Sequence, residues 1–165
     1  MGLFGKRDPQ EFYDGYGFTI TKTLFDPPRL SMLPAIYQDC GAQRWSVRYP
    51  GAEPTFFAYG DVLGCEIVED NEAEQAEGLS GSEVASKIIA NPARASRVNA
   101  AKRNSCLGMG VAVAVRTDGE DVSQLMVPVI TSELRRDSAM YERMVQFATT
   151  LKDEFDAMSR KASGE

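Results

Sequence analysis

Four cations lie close together in one alanine-rich stretch: Arg94, Arg97, Lys102 and Arg103. Successive residues of a helix turn by about 100°, so Arg94, Arg97 and Lys102 share one broad sector while Arg103 points away. Such a sector can dock an acidic protein surface or anionic lipid headgroups. The competing structural reading is a solvated helix folded against acids of its own chain. Those acids lie upstream, where Glu66, Glu69, Asp70, Glu72, Glu74 and Glu77 form a run. Their spacing is too loose for a calcium loop, which needs tightly alternating oxygen ligands around a glycine-enforced turn. The run reads as a solvated strand exit, and no metal or other cofactor is assigned.

What the sequence lacks narrows the chemistry further. The chain has no histidine, which removes Ser-His-Asp and Cys-His nucleophile pairs, histidine metal sites and the usual acid–base group near neutral pH. Its three cysteines, Cys40, Cys65 and Cys106, are odd in number and widely spaced. No C-x-x-C occurs, so the spacing fits buried reduced thiols rather than a zinc ribbon or disulfide framework. Cys65 and Glu66 point to opposite faces of a strand and cannot act as a pair. Gly108-Met109-Gly110 is a bare G-x-G within a strand, without the lysine or helix of a phosphate loop. The aromatics Trp45, Tyr49, Phe56, Phe57 and Tyr59 follow strand alternation and read as core. These observations point away from an enzyme.

The elements that must position these residues follow from periodicity. Phe18–Leu24 alternates as a strand, ended by Asp26-Pro27-Pro28. Ala35–Gln38 and Arg44–Tyr49 are further strands. Thr55–Asp70 reads as two strands hinged at Gly60-Asp61, with Leu63, Cys65 and Ile67 on one face. Five short strands in a row suggest a meander that closes on itself. A charged helical insert at about 71–105 follows, with a capping box at Ser80-Gly81-Ser82-Glu83 and a second start at Asn91-Pro92. Leu107–Arg116 and Ser123–Ile130 form a hairpin about the Thr117–Glu120 turn, and Pro128 marks an edge or bulge. Asp137 or Ser138 caps a long helix from Ala139 to about Lys161. Its stripe comprises Tyr141, Met144, Val145, Ala148, Leu151, Phe155 and Met158.

The fold class expected is therefore α+β: a bent antiparallel sheet or partly open barrel of six or seven strands, capped by the C-terminal helix. Residues 1–165 read as a single domain, a length sufficient for a core without staples. That layout resembles pleckstrin-homology-like barrels. Phe56-Phe57-Ala58-Tyr59-Gly60-Asp61-Val62-Leu63-Gly64-Cys65-Glu66-Ile67-Val68-Glu69-Asp70 is similar to a segment of uncharacterised bacterial proteins thought to share that fold. The Met1-Gly2-Leu3-Phe4 start and the Ser138-x-x-Tyr141 helix opening are similar to theirs as well. Relatives often carry a cysteine-rich ribbon, which this chain lacks. The resemblance implies a fold and no activity.

The net charge is −6, which opposes general binding to a phosphate backbone. The longest apolar run, Gly108–Val115, falls far short of the roughly 20 residues that span a bilayer, and the first residues lack the apolar core of a signal peptide. A cytoplasmic setting is the expectation. The functional expectation is a non-enzymatic binding or adaptor module for a protein or peptide partner, with Arg94, Arg97, Lys102 and Arg103 as contact residues. Alternatives are peripheral binding to anionic headgroups through Lys22, Arg44, Arg48 and the basic helix, disfavoured by the net charge, or a small-ligand carrier. Self-association through the last helix or the Pro128 strand is also open.

Overall fold

A computed structural model describes residues 8–28, 30–69 and 105–164, and its contacts divide into two compact units, residues 1–58 and 59–165. The described residues form an α+β structure of three antiparallel sheets with a C-terminal helix.

The first unit opens with a short helix, α1 (Pro9–Asp14), that the periodicity does not anticipate. Its local signal is a cap: the Asp8 side chain accepts from the Gln10 backbone N–H and Pro9 occupies the first turn, where a missing N–H costs nothing. Four strands follow in sequential order: β1 (Lys22–Phe25), β2 (Ala35–Asp39), β3 (Arg44–Arg48) and β4 (Thr55–Ala58). Tyr37 pairs with Ser46 and Ser46 with Phe56, so these three share a face. Tyr13 of α1 lies on it, its ring 5.4 Å from Tyr37 and 6.2 Å from Phe56, with its hydroxyl accepting from Ser46 Oγ at 3.1 Å. Phe18 completes this buried cluster.

The expected strand over Phe18–Leu24 is shorter in the structure, beginning at Lys22. The cause is competition for its backbone. Gln10 Nε2 donates to the Phe18 carbonyl and Gln10 Oε1 accepts from the Ile20 N–H. Thr19 donates its N–H to Asp39 Oδ2 at 3.1 Å. Alternation still puts Phe18 and Ile20 inward, but side-chain partners replace the ladder.

Asp39 is the anchor of this corner. It is 5% exposed and accepts from the Ala42 N–H at 3.0 Å as well as from Thr19. Arg44 Nε stands 3.6 Å from its Oδ2, an ion-pair contact too long for a hydrogen bond. Burial alone would raise the Asp39 pKa; the two backbone N–H groups and the Arg44 charge outweigh it and hold the carboxyl below its usual range.

The second unit begins with a single 3-10 turn, Tyr59–Asp61, whose Tyr59 is buried. Its strands are β5 (Val62–Glu69), β6 (Ser105–Cys106), β7 (Met109–Arg116), β8 (Val122–Ile130) and β9 (Leu134–Arg135). The helix α2 (Ala139–Ser163) closes the chain. β5, β7 and β8 form one sheet in that order, and β6 pairs with β9. The hinge at Gly60-Asp61 is therefore present, but β4 and β5 do not continue one meander, because β5 pairs with β7 instead. Among the described residues there are nine strands and no closed barrel. The 3-10 turn is the physical break, since it separates β4 from β5 without joining them as a hairpin.

Cys65 pairs with Val113 and Ile67 with Val111, while Leu125 and Val127 continue the same rows. This face carries α2, whose Ala148, Leu151, Phe155 and Met158 are buried, as its stripe requires. Ser138 is the cap, its Oγ accepting from the Tyr141 N–H at 3.2 Å. The expected Pro128 irregularity is also present: Pro128 lies on an outer strand and pairs with Gly110, where the register shifts.

Gly110 is the position of closest strand approach. A Cβ there would lie 2.8 Å from Met126 Sδ and 3.0 Å from the Val127 carbonyl oxygen. Met126 can turn aside, whereas the carbonyl belongs to the ladder. Gly110→Ala is expected to lower stability by about 1–3 kcal/mol, read as an earlier urea midpoint; an unchanged midpoint contradicts the packing described. Asp39→Asn is expected to cost about 2 kcal/mol at neutral pH. A carboxyl with a lowered folded pKa stabilises fully above its unfolded value of about 4 and loses that contribution as pH falls through the folded value. The gap between variant and wild type therefore closes in acid, and a gap independent of pH contradicts the assignment.

Candidate functional site

Glu69 is the last described residue before segment 70–104, and Ser105 is the first after it. Both ends are fastened by neighbouring residues. Arg136 Nη1 donates to Glu69 Oε2 at 2.5 Å and to the Tyr141 hydroxyl at 3.1 Å. The Tyr141 hydroxyl in turn donates to Glu69 Oε1 at 2.9 Å. Arg136 also lies 5.6 Å from the Tyr141 ring centroid. One residue earlier, Arg135 pairs with Ser105 in the β6–β9 ladder.

The local sequence explains why these groups converge. Cys65, Ile67 and Glu69 alternate onto the face of β5 that carries α2. Ser138 opens α2, so Tyr141 falls in its first turn. Arg136 sits between β9 and the cap. The side chains of Arg136 and Glu69 are 25% and 28% exposed, so the pair is partly desolvated and stronger than a surface ion pair. Its bond to Glu69 raises the Arg136 pKa and keeps the guanidinium charged. Burial, then the Glu69 carboxylate, raises the Tyr141 hydroxyl, which stays a neutral donor.

A second polar cluster lies farther along α2. Cys65 Sγ is 3.2 Å from Asp156 Oδ1 and 3.4 Å from the Lys152 carbonyl oxygen, while Lys152 Nζ pairs with Asp156 Oδ2 at 2.6 Å. Glu69 meets Tyr141 near the helix start and Cys65 meets residues 152 and 156, so α2 runs antiparallel to β5. Burial and then the Asp156 carboxylate push the Cys65 thiol up to about 12. It is a thiol at neutral pH, and a thiol is a poor nucleophile. The cluster holds a helix to a strand rather than activating sulfur. Of the other cysteines, Cys106 is buried as expected, whereas Cys40 is exposed. Cys40 occupies the β2–β3 turn, where Asp39 takes the inward position.

Arg94, Arg97, Lys102 and Arg103 all lie outside the described residues, as does the insert expected at about 71–105 apart from Ser105 itself. Of the acidic run, Asp70, Glu72, Glu74 and Glu77 lie outside the described residues; Glu66 is exposed, while Glu69 has specific partners that a charge run does not reveal. The nearest sequence signal was the Ser138-x-x-Tyr141 helix opening. Among the expected aromatics, Trp45 stacks on Phe57 at 4.7 Å and Tyr59 is buried, but Tyr49 is exposed. Arg44 donates to the Gly17 carbonyl. Arg48 lies 3.6 Å over the Phe12 ring and donates to the Ala52 carbonyl at 3.1 Å. Both arginines thus serve the first unit's own packing. No group of acidic or cysteine side chains among the described residues could hold a metal ion.

The molecule belongs to the broad α+β class. Comparison of the chain with protein-family models, curated proteins and solved structures finds no match.

Glu69→Gln retains shape but removes the charge from the pair. It is expected to cost about 1–2 kcal/mol, with the β6–β9 amides exchanging hydrogen faster than in the wild type. Unchanged exchange in β6 and β9 would show that the ladder holds without the Glu69 charge.

Proposed function

We propose that this protein is a non-enzymatic binding or adaptor module for a protein or peptide partner, with segment 70–104 as its contact arm. In this reading Arg94, Arg97, Lys102 and Arg103 meet an acidic surface of the partner. The observation that carries it is the double fastening by Arg135 and Arg136. A 35-residue segment (70 to 104 inclusive) that leaves and re-enters at one held point is presented from a fixed base. Much of the entropy of bringing its ends together is already spent in the fold.

Two further observations support a binding role. The polar clusters with chemical potential, at Cys65 and at Glu69, serve as fastenings between a strand and a helix. In the loop between β1 and β2, Leu30 is 100% exposed and Met32 79% exposed, an apolar display suited to contact with another molecule. A pleckstrin-homology-like layout is part of the same proposal, supported by antiparallel sheets followed by one amphipathic helix.

The test is a capture from source-cell lysate with three forms of the full chain: unaltered, with 70–104 replaced by a Gly/Ser linker, and with Arg94, Arg97, Lys102 and Arg103 each changed to Glu. A specific protein held by the first and lost from the other two, both folded by circular dichroism, is the expected result. Equal recovery by all three would remove the arm from the mechanism. Loss of binding to anionic vesicles, with protein capture unchanged, would transfer the four cations to a lipid role.

A further inference from the structure

We draw no further inference here: the strongest candidate, the apolar surface patch that Leu30 and Met32 make on the loop between β1 and β2, carries nothing beyond the binding role it already supports, because nothing in the structure shows what covers it.

Discussion

The Glu69 carboxylate, the Arg136 guanidinium and the Tyr141 hydroxyl form the junction on which the second unit depends. Each belongs to a different element: the end of β5, the turn after β9 and the first turn of α2. A charge-assisted, partly buried set of this kind contributes about 1.5–3 kcal/mol per bond, against about 0.2–1 kcal/mol for a solvated ion pair. Its larger effect is geometric. Fixing Tyr141 over Glu69 sets the rotation of α2, and that rotation decides whether Ala148, Leu151, Phe155 and Met158 face the sheet. Cys65 with Asp156 then holds the same helix to the same strand farther along. With two attachments on one strand, the helix can neither slide along it nor swing away from it without breaking one of them.

The first unit uses a buried carboxylate to the same end. Asp39 gathers the Thr19 and Ala42 N–H groups and faces Arg44, tying the irregular stretch after α1 to the β2–β3 turn. In each unit one such acid, Asp39 or Glu69, is placed where regular hydrogen bonding stops. Ladders and helices satisfy their own backbone; the joints between them do not. A carboxylate at a joint accepts several donors at once, which explains why Asp39 and Glu69 lie at the ends of β2 and β5.

The same division decides what was legible in the sequence. Alternation revealed β2, β3, β7 and β8 nearly to the residue, and the 3.6-residue stripe revealed α2, because both periods are written by the burial of one face. Period two tells which face a strand buries and says nothing of its neighbour. The pairing of β5 with β7, rather than with β4, was therefore hidden. Six-residue α1 is too short to show a stripe, and only Asp8-Pro9 announces it. Phe18–Ile20 has the alternation of a strand, yet Gln10 and Asp39 hold its backbone. Glu69 was submerged in its acidic run because its partner Arg136 lies 67 positions away. Long-range pairs between single polar residues leave no periodic trace.

The asymmetry of the three-stranded sheet follows from that placement of charge. On β5, Glu66 faces away from α2 while Glu69 is engaged by it, so that edge carries charge and an attached helix. On β8 no charge is present, and its alternate residues pack under α2 or pair with the small residues Gly110, Ala112 and Ala114. The close approach that Gly110 permits is itself a reason for an uncharged partner strand: a long charged side chain in place of Met126 would be forced against the backbone of β7. Tight packing across the β7–β8 rows thus favours apolar residues at the β8 positions that face Gly110 and Ala112. The uncharged character of β8 is a consequence of how the interior of the sheet is packed.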